Sequence, residues 1–409
     1  MGWTEDPRAL AVVMIFGVVY AGMVLGGLPR LRLDRTGVAL LGAIAIVGIG
    51  ELTVEEAAAG IHLPTLLLLF SFMVLSAQMR LGGFYAAVTR RIAGLPMAPP
   101  ALLAVVIVVV AALSAVFSND VVCLAVAPVL VRACLARRLD PVPYLLALAC
   151  ASNIGSAATL IGNPQNMLIG EVLKLDFGAY LRDALPPVGL GLVVTWALLA
   201  RSARGGAEAV LVPAADDPPF DRWQTAKGLA VAAALMAVFL FTDWPRDVAA
   251  LVGAGVLLLS QRFHSTQMMG LVDWELLVLF MGLFVVNHAL AHTGITAQTV
   301  AWLQAQGLHL GEPGPLFGAT LLLSNLVSNV PAVMLLLPVA TFPDAGLVLA
   351  LVSTLAGNLL IVGLIANIIV VDAARREGVA IDWKRHARTG VPVTLATLAI
   401  AAGWLAWRH

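Results

Sequence analysis

Long apolar runs separated by short polar ones dominate the chain. Near-continuous hydrophobic stretches fall at about 9–28, 36–50, 63–79, 180–200, 224–242, 248–260, 273–291 and 389–407. Two more, 141–175 and 345–373, are interrupted by Gly, Ser and Asn. A straight helix needs about 20 apolar residues to cross a bilayer, so the pattern predicts ten crossings, two of them broken. Two further segments, 99–136 and 314–342, each consist of two apolar halves meeting at a Ser-Asn pair. They are read as re-entrant hairpins that dip into the membrane and return. The stretches 82–95 and 293–306 are moderately amphipathic and are read as interfacial arms. The expected fold is an all-α polytopic membrane protein with about ten transmembrane helices, two re-entrant hairpins and two broken helices.

The polar interruptions are duplicated. SAVFSNDVVCLAVAPVLV (114–131) and SNLVSNVPAVMLLLPVAT (324–341) align at an offset of 210, matching Ser114 with Ser324, Ser118 with Ser328, Asn119 with Asn329 and Pro128 with Pro338. LPTLLLLF (63–70) and DWELLVLF (273–280) share that offset, while SNIGSAATLIGNPQNML (152–168) and STLAGNLLIVGLIANII (353–369) align at 201. Each half contains five crossings, an odd number, so the halves are expected to be inverted repeats. The first spans 1–204, a cytoplasmic linker 205–222, and the second 223–409.

Apolar residues make up 60% of the 409 and charged residues 12%, about half the charge of a soluble domain. The net charge is zero, which gives no sign of a nucleic-acid partner. With the hairpins re-entrant, 19 of the 24 Lys and Arg residues fall on one side and five (Arg8, Lys174, Arg182, Arg246 and Arg408) on the other. The positive-inside rule then makes the rich side cytoplasmic and places both termini outside an inner, multi-pass membrane protein. The first apolar stretch lacks the basic start and small-residue cleavage site of a signal peptide and is read as a true span. Cys123, Cys134 and Cys150 fit neither a disulfide framework nor a zinc site, and are read as small buried residues. No nucleotide loop, metal-ligand cluster or soluble catalytic domain is present in the sequence. The chain is therefore read as neither an enzyme nor a cofactor protein, and its energy is expected from an ion gradient.

A bilayer core supplies no water, so polar groups there need a protein partner or a ligand. Matched interruptions in two halves point to the midplane site of a secondary transporter. At the tips, Ser118, Asn119, Ser328 and Asn329 are candidate substrate-binding residues, because a half-helix N-terminus offers free N–H groups and partial positive charge. The competing reading is that they only cap buried helix ends. In the first broken span, Gly155, Gly162 and Pro164 predict unwinding over about 155–164. Asn153, Ser156, Asn163 and Asn166 there are candidate substrate ligands, as are Asn358 and Asn367 in the second. Ser152, Gly155, Thr159 and Gly162, with Ser353, Thr354, Gly357 and Gly363, are candidates for coordinating a coupling sodium or proton through hydroxyls and freed carbonyls. Close helix packing by small residues is the alternative for the glycines. The second break has no proline and is expected to be gentler. Asp120 is the one acid at a tip, read as a sodium ligand, a proton carrier or a helix cap; Val330 stands in its place in the second copy. Asn287 and His288 form a further polar feature, read either as part of a proton path or as structural. Asp273, Glu275, Glu171 and Asp372 sit at span ends and are expected to be solvated.

SND at 118–120, ASNIGSAATLIGNPQNMLIG at 151–170, LVSNVPAVMLLLP at 326–338 and AGNLLIVGLIANIIVVDAARREG at 356–378 resemble the ion transporter superfamily. The likeness is greatest to its anion permeases, grouped with citrate, arsenite-efflux and divalent anion/sodium symporter proteins, and covers nearly the whole chain. The resemblance implies a homodimer in which the hairpins and broken helices form a transport domain that slides against a scaffold, an elevator form of alternating access. In the divalent anion symporters, Ser-Asn-Thr tips bind carboxylate and sodium. Ser118 and Asn119 match the first two positions of one tip, and Ser328 and Asn329 those of the other; Asp120 and Val330 replace the threonine. The favoured reading is a sodium- or proton-coupled transporter of a small anion or oxyanion. Arsenite or antimonite efflux by proton antiport, sodium/proton antiport and a channel are the alternatives; a channel predicts a continuous polar pore, which the clustered polarity does not.

Overall fold

A computed structural model of the chain describes residues 7–28, 31–203 and 219–408. Most of the expected linker, 205–218, lies outside the described residues, as do residues 1–6 and His409 at the chain ends. Among the described residues the fold is helical, with only an isolated bridge between Gly27 and Asp34 in place of any sheet. In the first half the helices are α1 (Pro7–Leu25), α2 (Arg35–Gly48), α3 (Val54–Ala59), α4 (Leu63–Leu81), α5 (Phe84–Ala93), α6 (Pro99–Val116), α7 (Asn119–Ala136), α8 (Pro141–Ser156), α9 (Pro164–Val172) and α10 (Phe177–Ala200). In the second half they are α11 (Arg222–Phe241), α12 (Arg246–Leu258), α13 (Ser265–Met269), α14 (Trp274–His292), α15 (Ile295–Ala305), α16 (Pro313–Val327), α17 (Asn329–Leu336), α18 (Ala345–Ala356), α19 (Ile365–Arg376) and α20 (Trp383–Arg408).

The order of long, short and broken helices is the same in the two halves, down to small details. The short α3 and α13 both begin with a capping box, and α5 and α15 both follow a glycine with positive φ, Gly83 at 70° and Gly294 at 73°. Local chemistry sets the boundaries. The side chains of Asp34, Asp140, Asn163, Asp176, Asp221 and Asp273 each accept a backbone N–H in the first turn of the helix that follows, and α6, α8, α9 and α16 each start on a proline, whose missing N–H costs nothing there. Each of the ten expected crossings coincides with a helix or a broken helix; of the eight described helices individually long and apolar enough to span a bilayer, two are α6 and α7, the arms of the first hairpin.

The chain divides into two compact units that cut across the sequence halves: residues 1–66 with 273–349, and residues 67–272 with 350–409. The first hairpin and both breaks belong to the larger unit, whereas the second hairpin belongs to the smaller. This departs from the grouping of both hairpins in one domain that the resemblance implies. The reason is visible within the smaller unit, where the Tyr20 hydroxyl of α1 lies 3.4 Å from the Pro331 carbonyl of α17 and 3.1 Å from Asn287 Oδ1 of α14. There too α2 and α14 approach closely because Gly282 lies on the backbone of Ala39, 2.7 Å from where a Cβ would stand.

Within the larger unit α6 runs beside α8 in the same direction. The Tyr144 hydroxyl reaches the Pro99 carbonyl (3.0 Å) at their starts, and Ser114 reaches Ser152 (3.1 Å) near their ends. Gly155 permits this approach, since a Cβ there would sit 2.4 Å from Ala111 Cα. α20 measures the length of the unit: Arg385 at its start pairs with Asp140 before α8, and Trp404 near its end donates to the Asp183 carbonyl in α10. The chain from 140 to 183 therefore traverses the unit, with the α6–α7 tip stopping at the break. The nine residues of α9, about 13 Å of helix, lie beyond that level. Each arm of the first hairpin has 18 residues, enough to cross alone, yet its tip ends part-way. The arms of the second are shorter, 15 and 8 residues.

Both broken spans unwind. The first is non-helical over 157–163, inside the predicted 155–164, and the second over 357–364 apart from a 3-10 turn at Ile361–Gly363. The second break is thus as long as the first, not gentler, despite having no proline. Gly357 and Gly363 loosen the helix, and the Asn367 amide takes over carbonyls that a continuous helix would have used. The expectation that Glu171 is solvated is also corrected: it is 3% exposed and its Oε1 meets Arg246 Nε at 2.9 Å. Arg246 also donates to the carbonyls of Gly170 (2.8 Å) and Leu175 (3.0 Å), so a charged pair replaces solvent at the end of α9. Asp273, Glu275 and Asp372 are exposed as expected. His288 packs under Gly60 with its ring 4.4 Å from that of His292. The three cysteines are buried and free.

Candidate functional site

The larger unit gathers most of the polar residues singled out from the sequence into one buried hydrogen-bonded cluster. Its hub is Asn153, near the end of α8. Asn367 Nδ2 donates to the carbonyls of Gly357 (2.8 Å) and Leu360 (3.0 Å) in the second break. A carbonyl can only accept, so those two bonds fix which end of the Asn367 amide is nitrogen and leave its Oδ1 as an acceptor. Asn153 Nδ2 supplies that oxygen (3.0 Å) and also Asn358 Oδ1 (2.8 Å). Asn153 Oδ1 in turn accepts from Asn119 Nδ2 at the first tip (3.3 Å). Two backbone carbonyls thereby orient four amides in sequence. What remains unspent is one acceptor, Asn119 Oδ1, and one donor, Asn358 Nδ2, both buried and without a hydrogen-bond partner.

A second knot holds the first break. Asn163 caps α9 by accepting from the Asn166 N–H (2.9 Å), and its Nδ2 reaches Ser156 Oγ (2.9 Å) and Thr354 Oγ1 (3.2 Å). Asn166 Nδ2 donates to the Thr159 carbonyl (3.0 Å). The Thr159 hydroxyl donates to the Ala115 carbonyl (2.6 Å), Ser156 to the Asn153 carbonyl (2.8 Å), and Ser152 to the Asn119 carbonyl (3.1 Å). The Asn119 N–H bonds the Gly162 carbonyl at 3.2 Å, tying the tip to the break. Carbonyls freed by unwinding are thus taken largely by neighbouring amides and hydroxyls, the pairing that a buried backbone requires. Gly162 has no space for a side chain: a Cβ would lie 2.3 Å from the Ser156 carbonyl oxygen. Gly357 and Gly363 lie in similar contact with Leu364 and with the Gly357 carbonyl. Ser353 reaches only the Ala350 carbonyl of its own helix, at 3.5 Å.

At neither tip does serine cap the following helix. Ser118 has ordinary extended geometry, whereas Ser328 holds φ 76°, ψ 162°, a region costing about 1–3 kcal/mol for a non-glycine residue and characteristic of functional sites. Asn329, beside it in the smaller unit, is 1% exposed with both amide atoms unbonded. Asp120 lies half-buried in the first turn of α7, where the helix dipole favours an anion.

Three contributors had no assigned role in the sequence reading. The Tyr180 hydroxyl donates to the Ala157 carbonyl (2.8 Å) and lies 3.2 Å from Asn166 Nδ2. Gln165 reaches Thr354 (3.3 Å), and buried His386 meets the Asn358 carbonyl through Nε2 (3.2 Å). Gln165 adjoins the asparagines of the first motif. Tyr180 and His386 lie outside the duplicated motifs, and only the folded chain brings them to the breaks.

Residues 11–356 match the citrate transporter family. The chain is 30% identical over 407 residues to a 46 kDa membrane protein of Mycobacterium leprae, covering 92% of this chain and 95% of that one. It is 29% identical over 475 residues to the silicon efflux transporter LSI3 of Oryza sativa subsp. japonica, covering 98% of each. Among solved structures, that of the Alcanivorax borkumensis YdaH transporter, described as having an unusual topology, shares the fold with a TM-score of 0.57 at 14% identity over 98% of each chain.

Proposed function

Because the chain belongs to the citrate transporter family, and so is a membrane transporter, we propose that it is a secondary carrier of a small, weakly charged oxyacid or oxyanion, driven by a sodium or proton gradient. The observation that carries this reading is the pair of unspent atoms at the hub, one acceptor and one donor. A fully ionised polycarboxylate needs donors alone and favours charge-assisted partners. A hydroxyl both donates and accepts, and so suits Asn119 Oδ1 and Asn358 Nδ2 together. The hydrogen-bonded cluster is made of amides, hydroxyls, a phenol and one imidazole, with no Lys or Arg among the described contacts. A silicon efflux transporter among the relatives fits a solute of this kind. Asn119 and Asn358 are the proposed solute contacts; Asn153 and Asn367 orient them, and Asn163, Asn166, Ser156 and Thr159 hold the first break in shape.

The duplicated helix order supports two inverted repeats. The membrane sidedness inferred from charge is supported by the ion pairs of the larger unit. Arg132–Glu377, Arg385–Asp140 and Arg262–Asp221 join residues assigned inside, and Arg246–Glu171 and Arg408–Asp183 join residues assigned outside. The proposal extends to the elevator movement, the inner membrane and the homodimer that the family resemblance implies.

The test is transport in proteoliposomes, with silicate, arsenite, phosphate and citrate offered in turn under separate sodium and proton gradients. Asn119→Ala and Asn358→Ala should each lower uptake of the accepted solute by about tenfold or more, the loss of roughly one hydrogen bond to it. Wild-type rates in both variants, or uptake of citrate alone, would refute the proposed contacts and solute class.

A further inference from the structure

His386 is a buried titratable group attached to the site from outside the duplicated motifs. It sits in the first turn of α20, 2% exposed. Its Nε2 lies 3.2 Å from the Asn358 carbonyl oxygen. Because that oxygen only accepts, Nε2 carries the hydrogen, which leaves Nδ1 as the nitrogen free to take a proton. Gly390, one turn later, makes the approach possible: a Cβ there would stand 2.4 Å from the Asn358 oxygen and 2.9 Å from Nε2.

The contact continues without interruption into the hub. The Asn358 side chain accepts from Asn153, which accepts from Asn119, whose carbonyl accepts from Ser152. One residue, Asn358, thus joins the imidazole through its backbone oxygen and presents the unspent Nδ2 to the site. The neighbouring charges lie on or near the same turn. Asp382 accepts the Arg385 N–H (2.7 Å), and Arg385 is paired with Asp140 from the start of α8 (3.0 Å). Lys384 lies over the Trp383 ring, and Arg388 follows on the same helix. From the second break the ring meets the neutral Asn358 carbonyl, and no α10 side chain bonds it among the described contacts.

We propose that His386 is a proton-binding residue that couples a proton to solute through Asn358, a reading that rests on the carrier function above. In the uncharged ring Nε2–H donates to Asn358. Uptake of one proton from water at Nδ1 gives an imidazolium, with that bond retained and made charge-assisted. Positive charge then stands beside the residue whose Nδ2 faces solute, so proton and oxyanion favour each other's binding. Linkage makes the effect reciprocal.

Two measurements test this. Hydrogen–deuterium exchange at the imidazole C2 positions of the purified full chain, followed by mass spectrometry, reads the titration of each histidine without any solute. His386 should take up a proton as pH falls; a ring that shows no titration at any pH at which the protein stays folded would overturn the proposal. In proteoliposomes, His386→Gln keeps an amide donor for the Asn358 carbonyl but cannot titrate. Its exchange of silicate or arsenite at equal concentrations on both sides is measured beside the wild type's and should remain detectable. Wild type should accumulate the solute up to about tenfold per imposed pH unit for one coupled proton, and His386→Gln should not accumulate it. Wild-type accumulation by His386→Gln would overturn the proposal, and so would loss of exchange together with accumulation, which would make His386 a positioning residue only. Absence of exchange in the wild type would count against the solute class and leave the titration result standing by itself.

Discussion

Asn153 is the position where one side chain does most to hold the two breaks together. Replacing it with alanine removes three side-chain hydrogen bonds at once, to Asn119, Asn358 and Asn367. Asn119 Nδ2, Asn358 Oδ1 and Asn367 Oδ1 are then left without these partners. Side-chain hydrogen bonds between membrane helices average about 0.6 kcal/mol and reach about 1.7, so three of them amount to about 2–5 kcal/mol. The lost volume adds to this, because Asn153 is fully enclosed. Asn153→Asp should be no milder, since a carboxylate retains the acceptor for Asn119 but faces the two amide oxygens that Nδ2 supplied. The assay is thermal unfolding of the purified protein in detergent, with Ser353→Ala as the reference. Ser353 is equally buried but makes one 3.5 Å contact within its own helix, and its loss should cost about 1 kcal/mol or less. Asn153→Ala should melt several degrees below that reference and lose transport. Melting at the same temperature as Ser353→Ala would refute the hub, because it would mean that the four amides are not mutually oriented.

Gly155→Ala and Gly162→Ala should each destabilise by at least about 1–3 kcal/mol, since the clashes are with backbone of Ala111 and Ser156. Gly189→Ala and Gly255→Ala, helical positions with open space around the added methyl, should be neutral or stabilising by up to about 1 kcal/mol; equal melting of all four would refute the packing argument. Glu171→Gln should cost about 3–5 kcal/mol by leaving the Arg246 charge unpaired, and Arg246→Met less, because Lys174 Nζ remains 3.8 Å from Glu171 Oε2, while the double replacement recovers much of the loss; additive losses in the melting series would show that the pair does not act as a unit. Glu56 is held below the usual carboxylate range by the Thr53 backbone N–H and then by its hydroxyl. Its contribution to the α3 turn is therefore present above the ordinary carboxylate value and is lost as pH falls through the depressed one. Amide exchange over 53–60 should rise at acid pH beyond the intrinsic rate, and Glu56→Gln should abolish that dependence; an unchanged acid response in Glu56→Gln would remove Glu56 as its cause.

The sequence by itself determined the elements and their duplication. A bilayer-length apolar run has little choice but helix, because a lipid-exposed backbone must satisfy its own polar groups. Pro164 and the glycines at 155 and 162 mark an unwound stretch for the same backbone reasons. Hence the spans, the tips at Ser118–Asn119 and Ser328–Asn329, and the first break were all legible. The length of the second break was not, because it depends on Asn367 reaching back to the carbonyls of Gly357 and Leu360, a contact that only the folded chain creates. Tertiary structure also decided which polar atoms are spent. Asn119, Asn153, Asn163, Asn166, Asn358 and Asn367 are chemically identical in the sequence, yet two backbone carbonyls orient one chain of amides and leave a single acceptor and a single donor unused. The burial of Glu171 against Arg246, and the arrival of Tyr180 and His386 at the breaks, follow likewise from helix packing between residues 23 to 75 positions apart. Local propensity and hydrophobic length fix where helices begin and end, while the satisfaction of a buried polar group depends on whatever distant atom the packing brings to it.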